Sequence, residues 1–282
     1  MDFKNPSGSG RARDDKSGGV FGRDDNSVQP SLLTPHSSLL TPHSSAIIPV
    51  FDNNERDDTL KLAIFDLDNT LIAGDSDYLW GEFLVEQGVV DERQYRREND
   101  RFFQEYRDGT LDIHEFLRFS LQPLQQHPLN RLQAWHRKFM QEKIEPILLP
   151  AAARLLDRHR RDGATLLIIT ATNRFVTSPI AERLGVDELL ATEPEFLDGA
   201  YTGEVIDPPC FRDGKVIRLE QWLREKGMNL AQSWFYSDSH NDLPLLERVN
   251  HPVAVDPDDT LRQHAEMKGW PIISLRDGED RT

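Results

Sequence analysis

The stretch FDLDNTL, Phe65 to Leu71, decides the fold prediction, because it begins where a short apolar run, LAIF at residues 62–65, comes to an end. An apolar run of this length that passes into polar residues indicates a buried strand followed by a loop. Two further runs have the same layout, ATLLII at residues 164–169 and SWFY at residues 233–236. The sequence therefore predicts at least three buried strands whose ends carry polar side chains.

Shorter apolar runs at residues 252–255 and 271–274 indicate two more strands. Helical patterns lie between the strands, for example at residues 174–184 and 215–225. Strands that alternate with helices form parallel sheets with helices packed on both faces. We therefore predict an α/β fold with a Rossmann-like parallel sheet.

Residues 77–147 differ from the rest, because charged and aromatic residues recur there with helical periodicity and no strand signal is present. Trp80, Phe83 and Leu84 illustrate the three- and four-residue spacing. Aromatic residues at this spacing more often form a small core of their own segment than a ligand cage. Residues 77–147 are predicted to be a helical cap, inserted after the first strand of a core that comprises residues 60–76 and 148–282.

The N-terminal residues 1–59 are rich in Ser, Gly, Pro, Asp and Asn, with apolar residues mostly scattered singly. A segment of this composition cannot bury enough apolar surface to offset the entropy of ordering, so a disordered low-complexity tail is predicted. It contains the direct repeat SLLTPHS at residues 31–37 and 38–44. Pro35 and Pro42 would break a helix carrying the repeat, which leaves a duplicated low-complexity tract or a peptide docking motif.

The composition narrows the class of partner and the compartment. With 33 Lys and Arg against 48 Asp and Glu, the formal charge is −15. Nucleic acids and anionic membranes attract basic surfaces, so neither is expected as a partner of this acidic protein. The expected partner is a small molecule or a protein. Cys210, the only cysteine, forms no intramolecular disulfide and is expected to be buried, which favours a reducing compartment. No apolar stretch is long enough to span a membrane and no secretion signal is present, so the cytoplasm is expected.

Polar residues follow several of the predicted strand and helix boundaries. Ligands of open parallel sheets bind beyond the carboxyl ends of the strands, so these residues are candidates for a site. Asp66 and Asp68 stand two residues apart, and neighbouring carboxylates are costly unless a cation lies between them. The further candidates are Thr170 at the second strand, Lys215 at a helix start, and Asp238 and Asp242 after the third strand. Carboxylate, hydroxyl and ammonium groups together are what magnesium-assisted phosphoryl transfer requires.

Two other kinds of site are excluded by their spacing. An EF-hand interpretation of residues 66–77 fails, because the sixth position is Leu71 where glycine is required and the twelfth is Asp77 rather than Glu. The glycine-rich signature of a P-loop does not occur in the sequence, which excludes a P-loop kinase.

The motifs resemble those of the haloacid-dehalogenase superfamily of phosphohydrolases, specifically its subfamily IB, the phosphoserine-phosphatase-like branch. Four motifs occur in the order of that family: FDLDNTL at residues 65–71, IIT at residues 168–170, Lys215 within DGKV, and SDSHND at residues 237–242. The resemblance spans residues 62–274 and leaves only the N-terminal tail uncovered. It implies a Rossmann-like core, a helical cap after the first motif, and Mg²⁺-dependent hydrolysis of a small phosphomonoester.

The resemblance also implies a role for each residue that matches a motif. Asp66 would be the nucleophile that forms an aspartyl phosphate, and Asp68 would be the general acid and then the general base. The phosphate-binding residues would be Thr170, Ala171 through its backbone amide, Lys215 and Asn241. The Mg²⁺ ligands would be Asp66, Asp68 through its carbonyl, and Asp238. Asp242 would orient the coordination shell or bind the metal through water.

The wording GDSDYLW at residues 74–80 and YSDSHNDLPLL at residues 236–246 is similar to bacterial histidinol-phosphatases and to phosphoserine-phosphatase-like hydrolases. The resemblance therefore favours hydrolysis of L-histidinol phosphate to L-histidinol, a step of histidine biosynthesis. The alternative substrate is phosphoserine or another small phosphomonoester. A non-catalytic regulatory protein with the same fold is the alternative of another class, and the intact motif residues argue against it.

The charge of the cap bears on the choice of substrate. The cap carries the acidic residues Glu82, Glu86, Glu98, Asp100, Glu105 and Asp108. An aminoalcohol phosphate with a cationic organic half would suit such a cap, whereas the carboxylate of phosphoserine would need a buried arginine. Most of these residues are expected to lie on solvated helix faces, and the acidic character of the cap predicts that replacing them one at a time with alanine raises KM for L-histidinol phosphate.

Overall fold

The computed structural model describes residues 60–206 and 208–276. The predicted tail and its repeat concern residues 1–59, which lie outside the described residues. Within the described part of the chain, no helix has the length and apolar character that a membrane crossing needs. Cys210 is fully buried, as expected, and burial raises the pKa of its thiol to about 12.

The described residues contain a seven-stranded sheet. Its strands are β1 (Lys61–Phe65), β2 (Ala164–Asn173), β3 (Glu188–Leu197), β4 (Ala200–Ile206), β5 (Ser233–Ser237), β6 (His251–Val255) and β7 (Ile272–Ile273). The order across the sheet is β4-β3-β2-β1-β5-β6-β7. Neighbouring strands are parallel except β3 and β4, which are antiparallel. The predicted α/β fold with a mostly parallel sheet is confirmed.

Helices connect the strands. Between β1 and β2 lie α1 (Ser76–Glu86), α2 (Glu92–Arg107), α3 (Ile113–Ser120), α4 (Gln122–Gln126), α5 (Leu129–Phe139), a π-helical turn (Met140–Ile144), a 3-10 turn (Glu145–Ile147) and α6 (Pro150–Arg161). The later helices are α7 (Arg174–Leu184), α8 (Asp213–Lys226), a 3-10 turn (His240–Asp242), α9 (Leu243–Leu246) and α10 (Asp259–Lys268).

Successive residues of the central strands belong to two hydrophobic clusters, one on each face of the sheet. In β1, Ala63 and Phe65 pack in the cluster that includes α6 and α7, while Leu62 and Ile64 pack in the cluster that includes α8 and α10. Neighbouring side chains of a strand point to opposite faces, so a strand buried on both faces requires a continuous apolar run. This is why the uninterrupted apolar runs identified the central strands.

The hairpin of β3 and β4 is a feature that the apolar runs do not predict. Its first strand, ELLATEPEFL, mixes charged residues and Pro194 with apolar ones. The pairing of β3 with β2 ends at Thr192, so Pro194 pairs with β4 alone and one side of the strand is free to hold a proline there. Asp198 and Gly199 form the turn with positive φ angles of 50° and 86°, and an Asp-Gly pair between two strands is a strong hairpin signal. Strand β2 also extends beyond its predicted end at Ile169 to Asn173, so the residues after Ile169 lie in the strand and not in a loop.

The segment between β1 and α6 leaves the sheet and returns to it at one place. Ile72 and Leu148 form an antiparallel bridge, and the amide of Ala73 donates to the carbonyl of Ile147 at 2.8 Å. All the regular structure between these points is helical, so the predicted helical insertion after the first strand is confirmed. The division of the chain at residues 76–77 and 147–148 into core and cap stays a prediction.

The aromatic residues of the insertion do not form one separate core. Trp80 and Phe83 of α1 belong to the hydrophobic cluster that contains Phe65 of β1. Phe102 of α2 lies in a different cluster with Phe211, which precedes α8. The prediction of an independent small core is therefore wrong for α1, because the apolar face of this helix packs onto the sheet.

Candidate active site

Asp66 is the first residue after β1 and remains attached to the sheet. Its amide donates to the carbonyl of Tyr236 in β5 at 2.9 Å. The chain then turns sharply, since the Leu67 carbonyl accepts the amide of Leu71 at 2.9 Å and Asn69 adopts a positive φ of 56°. This turn brings Thr70, four residues later, back beside Asp66.

Thr70 connects the ends of β1 and β5. Its Oγ1 lies 3.1 Å from Oδ1 of Asp238 and 3.5 Å from Oδ2 of Asp66. The same oxygen accepts the backbone amide of Asp238 at 3.1 Å. Thr70 is not among the predicted site residues, although it lies within the FDLDNTL motif. The structure shows that it holds the two carboxylates side by side.

Lys215 forms a buried ion-pair network with two aspartates. Its Nζ lies 2.8 Å from Oδ1 of Asp66 and 2.7 Å from Oδ1 of Asp242, and all three side chains are at most 7% exposed. Ser237 Oγ donates to Oδ2 of Asp242 at 2.7 Å. Burial lowers the pKa of the Lys215 ammonium, but the charges of Asp242 and Asp66 outweigh this effect and raise it. Lys215 therefore remains protonated, and Asp242 is oriented towards it.

Asp68 is held at both of its carboxylate oxygens. The backbone amide of Ser76, in the first turn of α1, donates to Oδ1 at 2.6 Å. The hydroxyl of Thr172 donates to Oδ2 at 2.9 Å, and that of Thr170 lies 3.4 Å from the same oxygen. Burial, together with the charge of Asp75, raises the pKa of Asp68 to about 6. A carboxyl group with this pKa is suited to proton transfer near neutral pH.

The carboxylates of Asp66 and Asp238 form a place where a cation would be stabilised. Burial raises the pKa of Asp66 to about 7, although Lys215 opposes the shift. Burial and the charges of Asp66 and Asp242 raise the pKa of Asp238 well above its usual range. Within the described residues, no group of three or more His, Cys, Asp or Glu side chains could hold a metal by itself. Mg²⁺ commonly needs only one or two carboxylates, with water and substrate oxygens, and Asp66 and Asp238 meet that requirement.

Asn241 has contacts that differ from those expected of a phosphate ligand. It is buried, and its Oδ1 accepts Nε of Arg212 at 2.9 Å. Its Nδ2 donates to the carbonyl of Tyr106 in α2 at 3.0 Å. No hydrogen bond to Lys215 is present in the described part of the chain. Asn241 thus links the end of β5 to the helical insertion, and its role in phosphate binding stays a prediction.

A cavity lies over Asp66 and Asp68, between the ends of the strands and the helical insertion. Thr170, Ala171 and Asp238 contribute to its core side. Six aromatic rings form much of the remaining wall, namely Tyr78, Phe102, Phe103, Tyr106, Phe116 and Phe211. The expectation that the aromatic residues of the insertion form only its own core is therefore wrong for α2 and α3, whose rings face this cavity.

The acidic residues of the cap that the sequence singles out have partners outside the cavity. Glu82 pairs with Arg96, Glu86 with Lys143, Glu98 and Glu105 with Arg101, Asp100 with the Tyr78 hydroxyl, and Asp108 with Gln104. None of them lines the cavity, which agrees with the interpretation that most of them lie on solvated helix faces. Asp75 and Asp77 line it instead. Both residues lie in the quoted stretch GDSDYLW, so the sequence contained the information needed to find them. Acidic residues at the start of a helix ordinarily indicate capping, however, and Asp75 does cap α1.

Comparison with known proteins defines the class. The family model of haloacid dehalogenase-like hydrolases matches residues 63–247. The chain is 43% identical over 220 residues to a histidinol-phosphatase of Neisseria meningitidis serogroup C (strain 8013), and this match covers 77% of the chain and 99% of that protein. The chain belongs to the haloacid dehalogenase-like hydrolase family, and it is a phosphatase.

Solved structures agree with the fold. A protein of unknown function from Bordetella pertussis Tohama I is 44% identical, with a TM-score of 0.73 over 77% of this chain and 99% of that one. A phosphoserine phosphatase solved as a phospho-aspartyl intermediate analogue is 19% identical, with a TM-score of 0.58 over 77% of this chain and 93% of that one. At this identity the second likeness shows the fold alone.

Proposed function

We propose that the protein is a Mg²⁺-dependent phosphomonoesterase that acts through an aspartyl phosphate and converts L-histidinol phosphate to L-histidinol. The observation that carries this proposal is the cavity directly over Asp66 and Asp68, which is lined by carboxylates and aromatic rings. Among the described residues that line it there is no arginine, lysine or histidine. Such a cavity favours a substrate whose organic half is cationic.

Asp66 is the proposed nucleophile. Lys215 contacts its Oδ1, and a neighbouring ammonium stabilises the ionised carboxylate that attack on phosphorus requires. The same ammonium would offset the charge of the phosphoryl oxygens during transfer. Asp242 holds Lys215 in place through both oxygens. We assign Asp242 this orienting role within the proposed metal and phosphate site.

Asp68 is the proposed general acid and base. In its protonated form it would give a proton to the departing alcohol oxygen. In its ionised form it would then take a proton from the water that attacks the aspartyl phosphate. The hydroxyls of Thr170 and Thr172 fix its Oδ2 at the cavity wall. Thr170 and the Ala171 amide are the proposed ligands of the phosphoryl oxygens, and both residues line the cavity.

Mg²⁺ would be held by Asp66, Asp238 and the Asp68 carbonyl. It would supply positive charge against the phosphate, which a carboxylate nucleophile must approach. The raised pKa values of Asp66 and Asp238 support this assignment, because carboxylates buried close together require a cation to be ionised at neutral pH.

The cavity also distinguishes between the two candidate substrates. L-histidinol phosphate carries an ammonium group and an imidazole ring, which carboxylates and aromatic faces can bind. Phosphoserine carries a carboxylate in addition to its ammonium group, and that carboxylate would meet Asp75 and Asp77 without a described basic partner in the cavity wall. The relative named histidinol-phosphatase points to the same choice.

A side-by-side assay of phosphate release tests the proposal. With Mg²⁺ present, kcat/KM for L-histidinol phosphate is expected to exceed that for L-phosphoserine by at least about tenfold, the effect of one charge-assisted contact. Chelation of Mg²⁺ and the Asp66→Asn variant should each abolish turnover of both substrates. A preference for phosphoserine would contradict the substrate, and full activity of Asp66→Asn would contradict the mechanism.

A further inference from the structure

Asp77 differs from the other carboxylates of the cavity in its partners. Asp66 forms an ion pair with Lys215. Asp68 accepts hydrogen bonds from the Ser76 amide and the Thr172 hydroxyl, and Asp75 caps α1. The only hydrogen bond of the Asp77 side chain within the described residues comes from Nδ2 of Asn173, at 3.3 Å. That amide is neutral, so the negative charge of Asp77 has no counterion in the described part of the chain.

The electrostatic surroundings of Asp77 are unfavourable to an uncompensated charge. Burial raises its pKa well above the usual range, and the charges of Asp75 and Asp68 raise it further. Only the hydrogen bond from Asn173 opposes these effects. A carboxylate in such surroundings gains strongly from a positively charged or N–H-bearing group of a ligand.

In the described part of the chain, Asp77 makes no hydrogen bond to a proposed phosphate-binding residue, since its partner is Asn173. Asp77 lies in the first turn of α1, the first helix of the insertion. Burial raises the pKa of Tyr95, a residue of α2, and the charge of Asp77 raises it further. The carboxylate therefore lies at the side of the cavity that the helical insertion forms.

Aromatic rings complete this side of the cavity. Tyr78 follows Asp77 in α1, and its ring lies 5.2 Å from that of Phe103 in α2. Phe102 and Phe116 are in edge contact with a centroid distance of 5.4 Å. All four rings line the cavity together with Asp77. Flat aromatic groups and cations both bind favourably to such walls.

We propose that Asp77, oriented by Asn173, is a specificity-determining residue that binds a ring N–H of the leaving alcohol, with that ring packed against the aromatic wall. The inference rests on the proposed function and assigns to Asp77 the end of the substrate that is farthest from the phosphate. In L-histidinol phosphate this end is the imidazole ring. A neutral imidazole and an imidazolium both present an N–H to the carboxylate, so the contact does not depend on the charge of the ring.

Binding of two product-like alcohols tests the inference without relying on turnover. L-histidinol and L-phenylalaninol share the aminoalcohol, but only the first has a ring N–H. In the wild-type protein with Mg²⁺, calorimetry should give a dissociation constant for L-histidinol at least about tenfold below that for L-phenylalaninol, as expected for a hydrogen bond to a charged group. Asp77→Asn should reduce this ratio by about tenfold, because the amide keeps the shape and loses the charge.

Glu82→Gln is the matched control, since it removes the same charge from the same helix at a residue that faces Arg96 and not the cavity. This variant should leave the ratio of the two dissociation constants, for L-phenylalaninol and L-histidinol, unchanged. Equal affinity of the wild-type protein for the two alcohols, or no binding of L-histidinol, would overturn the inference even if Asp77→Asn failed to fold. The inference would also be overturned if Asp77→Asn weakened the binding of both alcohols by the same factor. Absence of phosphate release from L-histidinol phosphate would instead overturn the proposed function. The ratio of the two dissociation constants would still test whether Asp77 binds a ring N–H.

Discussion

Asp68 offers a substitution that changes proton transfer with little change in structure. Its Oδ1 accepts the Ser76 amide and its Oδ2 accepts the Thr172 hydroxyl. An asparagine in this place can keep the first contact through its carbonyl, and its NH₂ can donate to the hydroxyl oxygen of Thr172. The side-chain shape is also retained, so the fold should survive the exchange.

We expect Asp68→Asn to slow hydrolysis of L-histidinol phosphate by at least ~10², the usual contribution of a general acid to the departure of a poor leaving group. Hydrolysis of 4-nitrophenyl phosphate should fall less, because its leaving group departs without a proton. Steady-state rates of the variant and the wild type on both substrates measure the difference. Equal losses on the two esters would contradict the role of Asp68 as the general acid.

Single residues also show which parts of the site can be predicted from sequence patterns. Asp66 and Asp238 follow the ends of β1 and β5, Thr170 lies near the end of β2 and Lys215 lies in the first turn of α8, and the topology of a parallel sheet brings such positions together. Asp77 could not be assigned in this way, because its contact with Asn173 joins positions 96 residues apart. That contact depends on how α1 packs against the end of β2. Local periodicity carries no information on such packing.

At the scale of elements, a short hydrogen-bonded link joins α2 to the loops of the site. Nη2 of Arg212 donates to the Gly109 carbonyl at 2.5 Å, and its Nε donates to Asn241 at 2.9 Å. Asn241 in turn donates to the Tyr106 carbonyl at 3.0 Å. Arg212 adopts a positive φ of 50°, which costs about 1 kcal/mol or more in a residue other than glycine. The link holds the end of α2 against the start of α8, where Lys215 lies.

Arg212→Ala should loosen the end of α2 while leaving the sheet intact. Loss of two hydrogen bonds, each worth about 1 kcal/mol, should speed backbone amide exchange at residues 104–112 and lower kcat/KM for L-histidinol phosphate by roughly tenfold. Hydrogen–deuterium exchange and steady-state kinetics measure the two effects. Arg224→Ala, on the exposed surface of α8, is the control and should change neither. Unaltered exchange in residues 104–112 of Arg212→Ala would show that the link does not restrain α2.

The elements themselves were predictable to different degrees. β1, β2 and β5 are buried on both faces and therefore appear as apolar runs, and α7 begins and ends at the predicted residues 174 and 184. The β3–β4 hairpin was not identified, because strands at the edge of a sheet need no continuous apolar run. The first helix of the insertion was expected to pack within the insertion, yet it packs on the sheet. Its periodicity defines an apolar face but not the partner of that face.

For the whole molecule, the buried aspartates make stability depend on pH and on a cation. The pKa values of Asp66 and Asp68 rise from an ordinary value of 3.8 to about 7 and about 6 on folding. A carboxyl group whose pKa is raised in the folded state favours folding fully below pH 3.8, and this contribution disappears as the pH rises through the folded value. A cation bound to the ionised carboxylates reverses the effect, since metal binding requires deprotonated ligands.

Without divalent cations, we therefore expect the free energy of unfolding to contain a contribution that falls between pH 5 and pH 8 by on the order of 1 kcal/mol or more. Because ligand binding to the folded state adds stability, Mg²⁺ should raise the melting temperature more at pH 8 than at pH 5. Asp238→Asn removes a proposed ligand and one of the interacting charges, so both the fall with pH and the response to Mg²⁺ should be smaller in this variant. Calorimetric melting of the two proteins at both pH values, with Mg²⁺ and with a chelator, measures these differences. A response to Mg²⁺ that is equal at pH 5 and pH 8, or that persists in full in Asp238→Asn, would show that the ion does not bind to these aspartates.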